Sequence, residues 1–302
     1  MKRIFLTGFT FLIIFSASAC EICGCGVGNF YLGLLPHFNS KFFGLRYQYM
    51  HYHTQLANDP TQFSNDYYKI VELWSGINIG PKLQILAFIP YHINKQFTDD
   101  GIKTQDGIGD ISILLNYNLL HTRSNAGKNL IEHQLWIGAG IKLPTGKNNV
   151  DINDPSVNPG DVNSQSGTGS TDFLLNASYD VSINKFGLST SVNYKINTDN
   201  KTRYRFGNRF TSNTFAFFKL NAMGLGIAPN AGLLYENSAS NNLNKVTVVQ
   251  TGGHLISVAG GVEMNFKKIA LGANLQLPVA QNFAEGQTQS KVKGLVHLTF
   301  AL

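Results

Sequence analysis

Apolar and polar side chains alternate along most of this chain with a period of two, the spacing of a β-strand rather than of a helix. Leu83, Ile85, Ala87, Ile89, Tyr91 and Ile93 are interleaved with Gln84, Leu86, Phe88, Pro90 and His92. Phe173, Leu175, Ala177, Tyr179, Val181 and Ile183 are interleaved with Asp172, Leu174, Asn176, Ser178, Asp180 and Ser182. The pattern predicts strands over 42–53, 67–79, 82–94, 108–120, 130–143, 171–183, 186–197, 203–219, 224–236, 254–266, 268–279 and 291–302. These segments exceed the ~5–6 residues of an ordinary soluble strand and match the ~9–11 that a tilted strand needs to cross a bilayer. One face of each is continuously apolar and the other is small or polar.

The connections carry a second signal. Polar stretches at 54–66, 95–107, 144–170, 237–253 and 280–290 separate tight turns such as Gly80-Pro81, Asn184-Lys185 and Lys267. Long loops at one end and short turns at the other characterise outer-membrane barrels. The expected fold is therefore an all-β, transmembrane, antiparallel up-and-down barrel of about twelve strands, apolar face toward lipid and polar face toward a lumen. Pro90, Pro144 and Pro278 sit late in their strands and are expected near the long-loop rim, because proline cannot donate to a ladder. The last strand, Val292 to Leu302, is amphipathic and carries Phe300 near its end, which suits recognition by barrel-insertion machinery. An even strand count puts both barrel termini on the periplasmic side.

Composition agrees with strands. Charged residues are 14% of the chain and aromatic residues 12%, with 30 Gly and 12 Tyr in 302 residues. The net charge of +6 is spread out, with no Lys/Arg run dense enough for nucleic acid. Lys2 and Arg3 followed by apolar Ile4 to Phe15 and by Ala17-Ser18-Ala19 read as a signal peptide over 1–19, too short to span a membrane. All three cysteines, Cys20, Cys23 and Cys25, lie just beyond it in a segment over 20–41, so no disulfide can staple the barrel at 42–302. Their spacing could hold Cu(I) or zinc as thiolates, with His37 as a further ligand; alternatively Cys20 accepts lipid, or a pair forms a disulfide.

Three motifs stand in order at strand ends: Gly107-Ile-Gly109-Asp110, Lys142-Leu-Pro144-Thr145-Gly146-Lys147 and Gly167-Thr-Gly169-Ser-Thr-Asp172. Over residues 80–200 the chain thereby resembles the phenol-degradation meta-pathway family of outer-membrane barrels. The resemblance implies the barrel fold and passage of small, hydrophobic compounds across the outer membrane. The cysteine cluster is not part of the shared pattern.

Parity assigns to the lumen Arg46, Glu72, Trp74, Phe88, His92, Asp110, Glu132, Trp136, Lys142, Asp172, Asn193, Lys195 and Glu263, with Leu114 and Leu174 as apolar lining. Arg203, Arg205 and Arg209 join them if the strand at 203–219 is unbroken. Mixed charge in a narrow barrel suggests internal ion pairs that constrict it. The function expected is a channel or transporter for small molecules, bounded by outer-membrane lipid. The alternative is a structural or metal-binding surface barrel with a closed lumen, its N-terminal cysteines binding metal or anchoring lipid. Ser/His pairs for an enzyme, His254 with Ser257 and His297 with Thr299, lack a third partner in the sequence, so no catalytic role is assigned.

Overall fold

The computed structural model describes residues 41–302 except 58, 60, 100 and 151–158. The expected signal peptide over 1–19, and the candidate ligands Cys20, Cys23, Cys25 and His37, lie outside the described residues.

The strands are β1 (Phe42–Gln55), β2 (Phe63–Ile79), β3 (Leu83–Thr98), β4 (Gly101–Ile108), β5 (Ser112–Ala126), β6 (Asn129–Lys142), β7 (Asp172–Ile183), β8 (Phe186–Ile196), β9 (Tyr204–Arg205), β10 (Arg209–Phe218), β11 (Leu220–Ala222), β12 (Leu225–Ser238), β13 (Asn242–Leu243), β14 (Val246–Thr247), β15 (Gly253–Phe266), β16 (Ile269–Phe283) and β17 (Thr288–Ala301). One helix, α1 (Pro159–Ser164), precedes β7. All pairings are antiparallel. Each wall strand bonds to its sequence neighbours, β1 bonds to β17, and β10 bonds to β12, so the sheet has no open edge. β4 continues β5 across an interruption at 109–111, and β11 continues β10, leaving twelve staves in the wall. Closure is obligatory in hydrocarbon, where an unpaired N–H or C=O costs several kcal/mol.

Side chains divide by parity around this cylinder. On β1, Phe42, Gly44, Arg46, Gln48, Met50, Tyr52 and Thr54 are buried within, while Phe43, Leu45 and Tyr47 are exposed outward. On β2, Leu73 is 44% exposed outside while Trp74, one residue on, is 1% exposed inside. The outer surface is an apolar band with Phe43 stacked on Phe300 near one rim and Tyr49, Tyr67 and Phe97 clustered toward the other. The wall is thus inverted relative to a soluble sandwich, as the alternation predicts.

Several boundaries differ from the sequence reading. The polar stretch 95–107 is not a loop: β3 runs on to Thr98 and returns as β4, because Phe97 and Ile102 keep the alternation going. The stretch 280–290 likewise closes in one 3₁₀ turn, Ala284–Gly286. The strand at 203–219 is broken instead. Tyr204 and Arg205 leave the wall to pair with β13, and the added connection over 197–208 brings a long loop where none was expected. Pro90 lies well inside β3. Its carbonyl accepts from Gly109 N–H at 2.8 Å, so its missing donor faces the interruption between β4 and β5.

Glycines on the inner face let large neighbours lie flat. A Cβ on Gly76 would stand 2.2 Å from the Phe42 ring, on Gly187 2.1 Å from Phe217, and on Gly232 2.5 Å from Phe215. Substituting Leu73→Arg puts a charge among acyl chains and is expected to destabilise the barrel by ~2–4 kcal/mol. Denaturant unfolding in phosphatidylcholine vesicles checks this.

Candidate functional site

The three motifs that stand apart in sequence meet at one point inside the barrel. The chain leaving β6 turns at exposed Pro144, and the Thr145 hydroxyl mends the interruption in the wall. It donates to Gly109 C=O at 3.0 Å and accepts from Ile111 N–H at 2.9 Å. Gly146 then meets Gly167 backbone to backbone; a Cβ on Gly146 would lie 2.7 Å from Gly167 Cα and 3.0 Å from Gly109 carbonyl carbon. Only glycine permits that approach. Gly107 and Gly169 have positive φ, 156° and 72°, and shape the ends of the two neighbouring motifs.

Charge fixes the junction. Asp110 accepts from Gly146 N–H at 3.0 Å and from Thr168 N–H at 2.9 Å and Thr168 hydroxyl at 2.8 Å. The Lys142 ammonium donates to Asp110 at 2.5 Å, to the Thr168 hydroxyl and to Ser170 C=O at 3.0 Å. Its nitrogen is also 2.9 Å from Asp172, an ionic contact without hydrogen-bond alignment, and Lys195 lies 3.6 Å from the same carboxylate. Asp172, 0% exposed, further accepts from Ser170 hydroxyl at 2.8 Å and Thr198 N–H at 3.0 Å. Asp110 sits between strands.

The junction clamps the segment leading to β7 inside the barrel. Asn94 on the β3 inner face donates to Ser164 C=O at 2.7 Å, Ser164 hydroxyl donates to Gln105 at 3.3 Å, and Asn200 donates to Thr168 C=O at 3.2 Å. Val162 of α1 packs with Tyr204 and Phe206 in a small apolar cluster, bordered by Val150, Leu243 and Val248. The stretch read as an external loop over 144–170 is therefore, in its later part, an internal one. Ser164, Thr168 and Ser170, polar enough for water, direct their hydroxyls to Gln105, Asp110 and Asp172.

Elsewhere the lumen face carries cross-strand charge pairs. Arg46 bonds Glu72, Nε to Oε1 2.7 Å, with its guanidinium 5.0 Å from the Trp74 ring and 5.1 Å from Phe88. His297 reaches Glu263 at 2.9 Å over Gly272, where any Cβ would collide with both. Lys293 bonds Glu236 at 2.7 Å and lies 5.5 Å from the Tyr52 ring. Phe42, Trp74, Leu86, Phe88, Leu114 and Leu174 form one apolar stripe. A cavity between this stripe and the clamp is lined by Leu114, Leu174, Asn176, Asn193, Lys195, Arg209 and Thr211.

The sequence-predicted residues thus fall into groups. Asp110, Lys142, Asp172 and Lys195 converge on the clamp, with buried His92 against Gly109 beside it. Arg46, Glu72, Trp74 and Phe88 form the second group. Glu263 stands with His297. Glu132 and Trp136 lie apart, toward the short-turn rim, where Glu132 is 3.2 Å from His121. Arg203 and Arg205 are not wall residues, since the strand breaks before Arg209; Arg205 stays exposed, 4.0 Å from Asp199. Lys293, Glu236 and His297 were missed as lumen residues although parity places them there. Asn94 shares the lumen parity of His92 and was missed in the same way, whereas Thr168 had no comparable signal. His254 is exposed outward while Ser257 is buried inward, so that pair does not meet. His297 and Thr299 are 3.4 Å apart with Glu263 on the other ring nitrogen, but Thr299 is wholly buried.

The family described as "Putative MetA-pathway of phenol degradation" matches residues 53–288. The chain belongs to that family. Among solved structures it is similar to the COG4313 outer membrane channel from Pseudomonas putida F1, at 13% identity and TM-score 0.61, covering 95% of this chain and 98% of that one. It is also similar to the β domain of the Bordetella autotransporter BrkA, at 9% identity and TM-score 0.50, covering 87% and 100%. At these identities the likeness is one of fold: an outer-membrane β-barrel. No curated protein matches the chain.

Lys142→Met leaves two buried carboxylates without their shared cation and is expected to cost ~3–5 kcal/mol, while Lys142→Met with Asp110→Asn and Asp172→Asn costs less. Heat-modifiable gel mobility ranks the variants.

Proposed function

We propose that this barrel is a constricted channel of the outer membrane for small molecules. The observation that supports it most is the clamped inner segment. Barrels of ~8 strands fill with their own side chains, and those of 16–18 leave an aqueous channel; twelve staves enclose more space than wall side chains need. This chain invests three motifs in folding a loop into that space. A barrel serving only as a wall or anchor has no use for an internal constriction tied at Asp110, Lys142 and Asp172.

The lining suggests the class of solute. Charged groups are paired with neighbours on the wall, and an apolar stripe from Phe42 to Leu174 runs beside the clamp. Paired charges present little net field to an ion, whereas the stripe favours a small molecule with an apolar part. The long-loop rim faces outside and the short-turn rim, with both ends of the barrel, faces the periplasm, following the habit of bacterial barrels. The amphipathic last strand, Thr288–Ala301, serves insertion.

Planar-bilayer recording tests the reading. The wild-type protein should show small single-channel steps. Gly146→Val with Gly167→Val, which forces the clamp apart, should enlarge them severalfold. Silent bilayers with both proteins, confirmed as folded by gel mobility, would overturn it.

A further inference from the structure

Of the five hairpin turns at the rim where β1 begins and β17 ends, four carry lysine and none carries an acidic residue. Lys82 follows Gly80-Pro81, Lys128 follows Gly127, Lys185 follows Asn184 and Lys267-Lys268 make the β15–β16 turn, while Lys219 stands between β10 and β11, before the Met223-Gly224 turn. Lys41 stands before β1 on the same rim. Backbone bonds hold several of them in place on the wall: Lys82 C=O accepts from Asn118 at 2.7 Å, Lys185 C=O from Lys219 at 2.6 Å, Lys268 C=O from Ala301 at 2.8 Å and Lys41 C=O from Leu302 at 2.8 Å. The acidic groups nearest this end, Glu132, Asp180 and Glu263, stand at inward-facing positions.

We infer that this rim is a binding surface for the phosphate groups of anionic phospholipid in the leaflet that surrounds it. Strands lie ~4.7–4.9 Å apart, so lysines on neighbouring hairpins stand about 10 Å from one another, close to a Debye length at 0.1 M salt. Such a ring repels itself and is relieved by counter-charge. The stems lean on the lipid face. Lys82 Nζ is 5.9 Å from the Tyr117 ring and Lys267 Nζ 5.3 Å from the Phe266 ring, and both rings point outward. Lysines over outward aromatics at the edge of an apolar band sit at headgroup level, where each cation is attracted to an anionic surface. Lys219 differs, lying 5.4 Å from the inward Phe217 ring. The outward lysines therefore select a lipid surface over an anion entering the lumen. The inference needs only the membrane-spanning barrel and is independent of whether the lumen conducts.

The test uses the full mature protein in vesicles of phosphatidylcholine with about 30 mol % phosphatidylglycerol, both spin-labelled in turn to report the boundary shell. Wild type should enrich phosphatidylglycerol about twofold or more over phosphatidylcholine, and the enrichment should collapse at about 0.5 M salt. Lys82→Gln, Lys128→Gln, Lys185→Gln, Lys267→Gln and Lys268→Gln together should abolish it, and the matching Lys→Arg set should retain it. If the fivefold variant does not fold, Lys267→Gln with Lys268→Gln should lower the enrichment measurably. No enrichment in wild type, or equal enrichment in wild type and the glutamine variants, overturns the inference. Unchanged lipid enrichment with altered anion selectivity in bilayer recordings would assign the ring to solute capture instead, and so also overturns it.

Discussion

A bilayer has no water to satisfy a backbone, and that constraint governs everything else in this protein. Each wall strand must pair on both sides, so β10 must find β12 and β1 must find β17. Once the cylinder is closed, its period-two side chains have only two destinations. Lipid takes Leu45, Leu73, Leu115 and Leu298; the interior takes Arg46, Trp74, Lys142 and His297. Polar groups inside are then held at low dielectric, which is why they appear as pairs.

The clamp is the second consequence. A twelve-stave interior admits a segment of chain, and that segment brings its own backbone groups, each needing a partner. Asp110, Lys142 and Asp172 supply charge-assisted ones, Thr145 closes the gap between β4 and β5, and Gly146 with Gly167 removes the side chains that would block the approach. The family motifs thus have a common physical purpose. They are turn residues in sequence and a single junction in space.

How much of this was legible in the sequence depended on whether the information was local. The wall was, because alternation is a property of neighbours: Leu73 beside Trp74 already says outward beside inward. The boundaries of β3 and β4 were not, since Lys95, Gln96 and Thr104 look like a loop although Phe97 and Ile102 keep the period. The break before Arg209 was hidden for a similar reason, as Tyr204 and Phe206 alternate well enough for a strand but pack on Val162 instead. His297, Lys293 and Glu236 were readable from parity, as Glu263 was, and only their pairing required the fold. Thr168, and the loop partner of the parity-readable Asn94, could not have been found, since those roles arise from a loop folding through the barrel, which no local pattern encodes.

The division of the wall into a lipid face and a lumen face is measured most directly by brominated-lipid quenching of tryptophan. The two tryptophans, Trp74 and Trp136, both stand on the inner face. In vesicles of brominated phosphatidylcholine their emission should match that in unbrominated lipid. A Leu73→Trp change in a Trp74→Phe, Trp136→Phe background should be strongly quenched. Strong quenching of the native pair, or none at position 73, would contradict the account.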